Sequence, residues 1–228
     1  MPLKSLIVNR TTAGLFLKPL LWLHSACYRW ISRFAIVLNN GVHPKHSIIN
    51  YEKWFCDNIK PGWYVMDIGC NTGILAGKIA QKASFVYAVD IELDLIRKAR
   101  KNNSADNIEY ICADVSDFNC KTEKAIDCIV MSNLLEHIED RVGLLKKLVH
   151  SINWTEKTEK TFLIRVPTLQ RDWITVYKKN LGIEYCLDRT HCIEYTNDEF
   201  ISELAQAQVK LVRMEIKFGE IYALCSAL

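Results

Sequence analysis

The sequence predicts an α/β fold. It is expected to be a three-layer sandwich on a seven-stranded, mostly parallel sheet that ends in an antiparallel C-terminal hairpin, with helices added at the N-terminus. Three observations predict it. From residue 65 onward, short apolar runs alternate with single helical patterns, which implies parallel pairing with right-handed crossovers. The last two strand-like runs, in "VKLVRMEIKFGEIYALCSA", are separated only by Phe218, Gly219 and Glu220, and strands so closely joined must be antiparallel. A chain of 228 residues, 50% of them hydrophobic, is long enough to bury a full core.

The elements are read in order. In "AGLFLKPLLWLHSACYRWISRFAIVL", residues Leu20, Leu23, Cys27, Trp30, Ile31, Phe34 and Leu38 recur at helical spacing, with Arg29 and Arg33 on the opposite side. Lys18, Pro19, Arg29 and Arg33 interrupt the apolar run, so it falls short of the roughly 20 apolar residues of a spanning helix. An amphipathic helix over 20–38 has three ways to cover its apolar face. These are the body of its own protein, a second subunit in a homodimer, or a lipid surface as a peripheral contact. "NNGVHPKH" at 39–46 reads as a loop, and a short helix over 49–58 is broken by "IKPGW". Residues 1–50 form a helical extension and 51–228 the main domain.

Within that domain the expected strands are 65–68, 85–89, 108–112, 125–131 and 162–166, with helices over 72–81, 93–102 and 140–151. Helical patterns over 171–180 and 197–207 flank an irregular stretch, "LGIEYCLDRTHCIEYT".

Charge is unevenly placed. Residues 1–51 carry Lys4, Arg10, Lys18, Arg29, Arg33 and Lys45 and no acid; the other residues have 23 basic and 26 acidic side chains. Such a basic segment suits an anionic partner or a solvated helix face. The nine cysteines include no C-x-x-C pair, so no zinc site of usual spacing is expected, and the pattern fits a reducing, cytoplasmic setting.

The chemistry concentrates in "VMDIGCNTGILAGKIA", residues 65–80. A dinucleotide fingerprint needs glycine at three spaced positions. Here those positions hold Gly69, Asn71 and Ile74, and Asp67 would face a dianionic pyrophosphate. A zwitterion fits better. Its ammonium can use Asp67, and the N–H groups of the turn favour its carboxylate. The amino-acid end of S-adenosylmethionine has both groups. Asp90 ends the next strand, where an acid can accept hydrogen bonds from two ribose hydroxyls. Asp114 ends the third, placed for an adenine amino group, with the Val115 N–H for a ring nitrogen. Strand-end Asp residues are also common turn formers, so each acid alone is a weak signal and the row of three a strong one.

"VMDIGCNTG", "VYAVDIE", "IEYICADV" and "IDCIVMSNLLEHIED" resemble the successive motifs of the class I S-adenosylmethionine-dependent methyltransferases, over about 51–228. The closing hairpin resembles the antiparallel seventh strand of that Rossmann-like sheet. Asn71 stands where glycine is commonest, and asparagine tolerates the left-handed conformation better than most residues. The resemblance implies that Asp67, Gly69, Cys70, Asn71 and Gly73 hold the methionine end, Asp90 and Ile91 the ribose, and Asp114 and Val115 the adenine. Ser132, Asn133 and Leu134 would line the site near the methyl group.

The candidate groups for a base toward the acceptor are His191, with Asp188 to orient it, and His137, which can equally shape the pocket. Arg171, Asp172 and Trp173 in "VPTLQRDW" are candidate acceptor contacts, and Trp173 equally reads as packing. The flanking segments "LNNGVHPKHSIINYEKWF", "RDWITVYKKNLGIEY", "DRTHCIEYT" and "FGEIYA" resemble bacterial methyltransferases of polysaccharide-biosynthesis clusters. That implies O-methylation of a sugar, nucleotide-sugar or lipid-linked glycan, with His43, Lys45 and His46 near a phosphate. The alternatives are a quinone or lipid-precursor methyltransferase and a non-catalytic binding protein. Nucleic acid is not expected, since the chain lacks the Asn/Asp-Pro-Pro-aromatic signature of base amino-group methylation and an interleaved basic–aromatic module.

Overall fold

A computed structural model describes residues 9–116, 122–156, 158–186 and 188–227. The chain divides into two compact units, Met1–Asn50 and Tyr51–Leu228.

The first unit holds α1 (Arg10–Leu38) and α2 (Pro44–Ile49). Helix α1 begins ten residues before the expected start at residue 20. Asn9 explains this: its side chain accepts from the N–H groups of Thr11 and Thr12, and Thr12 reciprocates in a capping box. Pro19 is accommodated inside the helix. Leu20, Leu23, Trp30, Ile31, Phe34 and Leu38 are all exposed. The Arg33 guanidinium lies 5.2 Å from the centre of the Trp30 ring, so this cation borders the apolar face rather than opposing it. Among the described residues, no helix is long and apolar enough to cross a membrane. The single helix expected over 49–58 is two helices, because Asn50 turns left-handed (φ 49°) between α2 and α3 (Tyr51–Asn58).

The second unit continues with β1 (Tyr64–Ile68), α4 (Ile74–Ala80), β2 (Phe85–Asp90), α5 (Leu93–Asn102), β3 (Ile108–Cys112) and β4 (Cys128–Ser132). It then runs through α6 (Arg141–Ser151), β5 (Lys160–Pro167), α7 (Trp173–Asn180), α8 (Asn197–Gln206), β6 (Val209–Lys217) and β7 (Glu220–Ala227). Strand β4 starts later than expected; Ile126 makes only an isolated bridge to Trp154.

The seven strands form one sheet in the order β3-β2-β1-β4-β5-β7-β6. The first five strands are parallel, and β7 is antiparallel to both β5 and β6. The expected mixed sheet with its C-terminal hairpin is therefore present. The central strands are buried on both faces, as their unbroken apolar runs require. On one face, alternate residues such as Met66, Ile129, Ile164 and Ala223 share an apolar cluster with Leu144, Leu145 and Leu148 of α6 and Phe200 and Leu204 of α8. On the other, Trp54 of α3 meets Tyr222 edge-on at 5.2 Å. The order reverses direction between β1 and β4, and the carboxyl ends of adjacent parallel strands open a crevice there.

Candidate active site

The glycine turn is tied together by its backbone. Gly69 and Cys70 both donate their N–H to the Val89 carbonyl, at 2.8 and 3.0 Å, joining β1 to β2. Asn71 adopts the left-handed conformation at φ 51°. Its N–H donates to Asp90 Oδ2 at 2.7 Å, and Glu92 N–H donates to Asp90 Oδ1 at 3.0 Å. Asp90 thus fixes the turn as well as ending β2, and its remaining lone pairs are those that two ribose hydroxyls could address.

Both glycines of the turn, at 69 and 73, lie close to a neighbouring side chain. A Cβ on Gly69 would lie 3.2 Å from Leu134 Cδ1, so the turn touches the second residue after β4. A Cβ on Gly73 (φ +77°) would lie 2.4 Å from the Tyr110 hydroxyl, which donates to the Asn103 carbonyl at 2.8 Å. We expect Gly73→Ala to cost about 1–3 kcal/mol of stability and to weaken S-adenosylhomocysteine binding about tenfold. Thermal unfolding and titration calorimetry check this.

Asp67 is 1% exposed, and its Oδ2 has no hydrogen-bond partner among the described residues. Burial, and then the nearby Asp90, push its carboxyl up to about 7. A buried orphan carboxylate is costly until a cation or proton meets it. An ammonium group supplies that cation. With bare backbone at Gly69 and Gly73, the pocket fits the methionyl end of S-adenosylmethionine. Burial raises the Cys70 thiol far above its usual range, so Cys70 is an uncharged wall. Asp114 is exposed, and its Oδ1 accepts from Ser116 N–H at 2.8 Å; Val115 beside it is buried. A cleft of about 460 Å³ is lined by Ser116, His137, Asp140, Gly143 and Lys147, among others.

At the end of β4, a 3₁₀ turn (Leu135–His137) places two neighbouring side chains differently. Glu136 is buried and His137 exposed. The segment carrying His191 is fastened against this turn by Cys192 N–H, which donates to the Glu136 carbonyl at 2.7 Å. His137 and His191 rings meet edge-on with centroids 4.9 Å apart. Burial, then His191, hold His137 below the ordinary imidazole value.

The structure corrects the expected partnership of His191 and Asp188. His191 Nδ1 lies 3.3 Å from Glu194 Oε1. Asp188 instead accepts from the Thr190 N–H and hydroxyl, both at 2.9 Å, and Thr190 Oγ1 lies 3.1 Å from His137 Nδ1. Asp188 therefore orients His137, through Thr190. Two turn hydrogen bonds satisfy it locally and hold its carboxyl below the usual range.

The expected acceptor contacts after β5 have structural partners. Asp172 caps α7, accepting from Thr175 N–H at 2.6 Å. Arg171 forms an ion pair with Glu194 and donates to the Tyr185 carbonyl at 2.7 Å. Trp173 is 72% exposed, so it is free to meet a ligand and is not core packing. In the first unit, His43 Nδ1 accepts from Lys45 N–H at 3.1 Å as the cap of α2, and the His43 and His46 rings lie 6.0 Å apart. Among the described residues the cysteines are free.

Sequence reasoning missed Glu136 and Glu194. Both stand in quoted motifs, "LLEH" and "HCIEYT", and their signal is an acid one or three residues from a histidine. Neither burial nor pairing is visible from that spacing.

Comparison with known proteins agrees with this geometry. The family described as a methyltransferase domain matches residues 65–153. A ribosomal protein L11 methyltransferase of Caldanaerobacter subterraneus is 27% identical over 145 residues, covering 55% of this chain and 46% of that protein. A ubiquinone biosynthesis O-methyltransferase of Xanthomonas campestris is 27% identical over 88 residues, covering 38% of this chain and 37% of that protein. The chain thus spans less than half the length of these curated relatives. Among solved structures, magnesium protoporphyrin IX methyltransferase of Synechocystis PCC 6803, with bound S-adenosylhomocysteine, superposes with a TM-score of 0.59 at 16% identity, over 80% of this chain and 83% of that one. Residues 65–153 are similar to a methyltransferase domain, and the seven-stranded sheet has the fold of solved S-adenosylmethionine-dependent methyltransferases.

Proposed function

We propose that the protein is an S-adenosylmethionine-dependent O-methyltransferase acting on a hydroxyl of a lipid-linked acceptor. The observation that carries the reading is the His137–His191 pair, with centroids 4.9 Å apart, just past β4 and beside Leu134, which touches the glycine turn. A weakly acidic hydroxyl must lose its proton as the new bond forms, whereas many other acceptors need no such help.

Asp67 and the turn would orient the methionyl end of the cofactor, Asp90 the ribose, and Asp114 with Val115 the adenine. Ser132, Asn133 and Leu134 would face the reacting methyl. When bound, the cofactor supplies the sulfonium as electrophile; the protein supplies alignment and the groups that help the hydroxyl lose its proton. The acceptor oxygen gains the methyl carbon, the carbon–sulfur bond breaks with its electron pair going to sulfur, and the hydroxyl proton leaves. Trp173, exposed at the start of α7, would meet the body of the acceptor.

The exposed apolar face of α1, edged by Arg33 and with no acid in its helix, supports contact with an anionic lipid surface. A glycan headgroup is the first choice, as the flanking-segment resemblance implies, with His43, Lys45 and His46 toward a phosphate. The ubiquinone O-methyltransferase relative favours a quinone precursor as the second.

The test is transfer of radiolabelled methyl to lipid-linked glycans, nucleotide sugars and quinone precursors. Label in a glycan supports the first reading and label in a quinone precursor the second. Label in none of the three sinks the acceptor class. Separately, we expect co-sedimentation with vesicles containing about 30–40% anionic lipid. Replacing Trp30 and Phe34 by Ser should reduce the bound fraction at least fivefold; unchanged binding would rule out α1 as the contact.

A further inference from the structure

We propose that Glu136, His137 and His191 form a binding site for a first-row divalent cation, such as Mn²⁺ or Zn²⁺, on the acceptor side of the pocket. A carboxylate oxygen of Glu136 and one ring nitrogen of each histidine lie within 4.8 Å of one another. Donor atoms around such an ion sit about 2.0–2.2 Å from it, so small side-chain rotations would bring these three onto it.

A second observation points to a ligand. Glu136 is 1% exposed, and its Oε2 has no hydrogen-bond partner among the described residues. A buried acceptor with nothing to accept from is unusual in a folded protein. One oxygen of this carboxylate clusters with a ring nitrogen of each of two imidazoles, which in their neutral form supply lone pairs. A cation satisfies all three groups at once.

The outer contacts agree. Thr190, with its hydroxyl committed to Asp188, offers His137 Nδ1 two acceptors, its Oγ1 at 3.1 Å and its carbonyl at 3.3 Å. His191 Nδ1 faces Glu194 Oε1 at 3.3 Å. Each Nδ1 therefore carries the proton, and each Nε2 keeps a lone pair. Metal-bound histidines are commonly held this way, one nitrogen on the ion and the other donating to a carboxylate or carbonyl. Two imidazoles and one carboxylate suit Mn²⁺, Fe²⁺ or Zn²⁺ better than the all-oxygen sites of Mg²⁺ or Ca²⁺. Three protein ligands also leave coordination positions open.

The role of the ion, though not its binding, rests on the O-methyltransferase reading. An acceptor hydroxyl bound at an open position becomes more acidic. Its proton passes to water, its oxygen takes the methyl carbon, and the carbon–sulfur pair goes to sulfur. The histidines then act as ligands and not as free bases.

The test needs no acceptor, so its failure is separable from failure of the functional reading. Untagged, chelator-dialysed full-length protein is titrated with Mn²⁺ alone and with Zn²⁺ alone by calorimetry, with Mn²⁺ also followed by electron paramagnetic resonance. At least one ion is expected to bind with 1:1 stoichiometry. Glu136→Gln, His137→Ala and His191→Ala should each weaken it at least tenfold, while His150→Ala, an exposed histidine at the end of α6, leaves it unchanged. S-Adenosylhomocysteine affinity within about twofold of wild type confirms that each variant is folded; Glu136→Gln, nearly isosteric, serves if an alanine variant is not. Absence of binding for both ions, or equal affinity in wild type and the folded variants, overturns the proposal.

Discussion

Asp67→Asn is expected to weaken S-adenosylhomocysteine binding by about 10- to 100-fold, while making the ligand-free protein more stable at pH 7.5. The loss follows from removing a charge-assisted contact with the ligand ammonium, about 1.5–3 kcal/mol. The gain follows from the carboxyl itself. Buried and unpartnered at Oδ2, it is held up at about 7 against an ordinary 3.8. The folded state therefore binds this proton more tightly than the unfolded chain does. Between pH ~4 and ~7 the folded protein holds more protons, so stability falls as pH rises through that window and levels off above it. Glu136, also raised to about 7 by burial, contributes with the same sign. Asparagine cannot ionise, and recovering about 1–2 kcal/mol should raise the melting temperature by about 3–6 °C at pH 7.5. It should also flatten part of the pH dependence. Calorimetry in buffers of different ionisation enthalpy offers a second check: wild type should release a fraction of a proton on binding ligand at pH 7, and Asp67→Asn should release less. If Asp67→Asn binds as tightly as wild type, Asp67 does not meet the ammonium.

Arg171→Ala is expected to cost the most stability. Glu194 is 0% exposed and pairs with Arg171 and His191. The same guanidinium donates to the Thr168 and Tyr185 carbonyls, so it ties the end of β5 to the segment after α7. Truncation leaves a buried carboxylate with its main cation gone, a change worth about 3–5 kcal/mol. For a chain of this size that is a drop of about 6–20 °C in melting temperature, read by differential scanning calorimetry. The double variant Arg171→Ala/Glu194→Gln should recover part of the loss, because it removes the stranded charge. A drop under about 2 °C in the single variant would show that the pair is solvated in solution. Since Glu194 also faces His191, the ion pair helps hold the imidazole at the site.

The glycine turn and the strand-end acids were legible because each depends on neighbours in sequence. Asn71 supplies its own left-handed turn, Asp90 ends β2, and Asp114 follows β3 by two residues. The roles of Asp188, Arg171 and Asp172 were not legible in the same way. A carboxylate near a histidine in sequence suggests a pair, yet Asp188 found a closer partner in Thr190, two residues away. Arg171 and Asp172 read as acceptor contacts, and the sequence did not show that one also crosses to Glu194 and the other caps the next helix.

By itself, then, the sequence determined the alternating elements, the closing hairpin and the acid-lined edge of the sheet, because periodicity, turn chemistry and strand ends are local properties of the chain. Only the tertiary structure decided which side chains meet across long separations. Thr190 meets His137 from 53 residues away, His191 packs against that same imidazole, and Glu136 is sealed from water with one oxygen unanswered. Burial and desolvation are set by the whole packed sheet and its helices, and no stretch of sequence carries them alone.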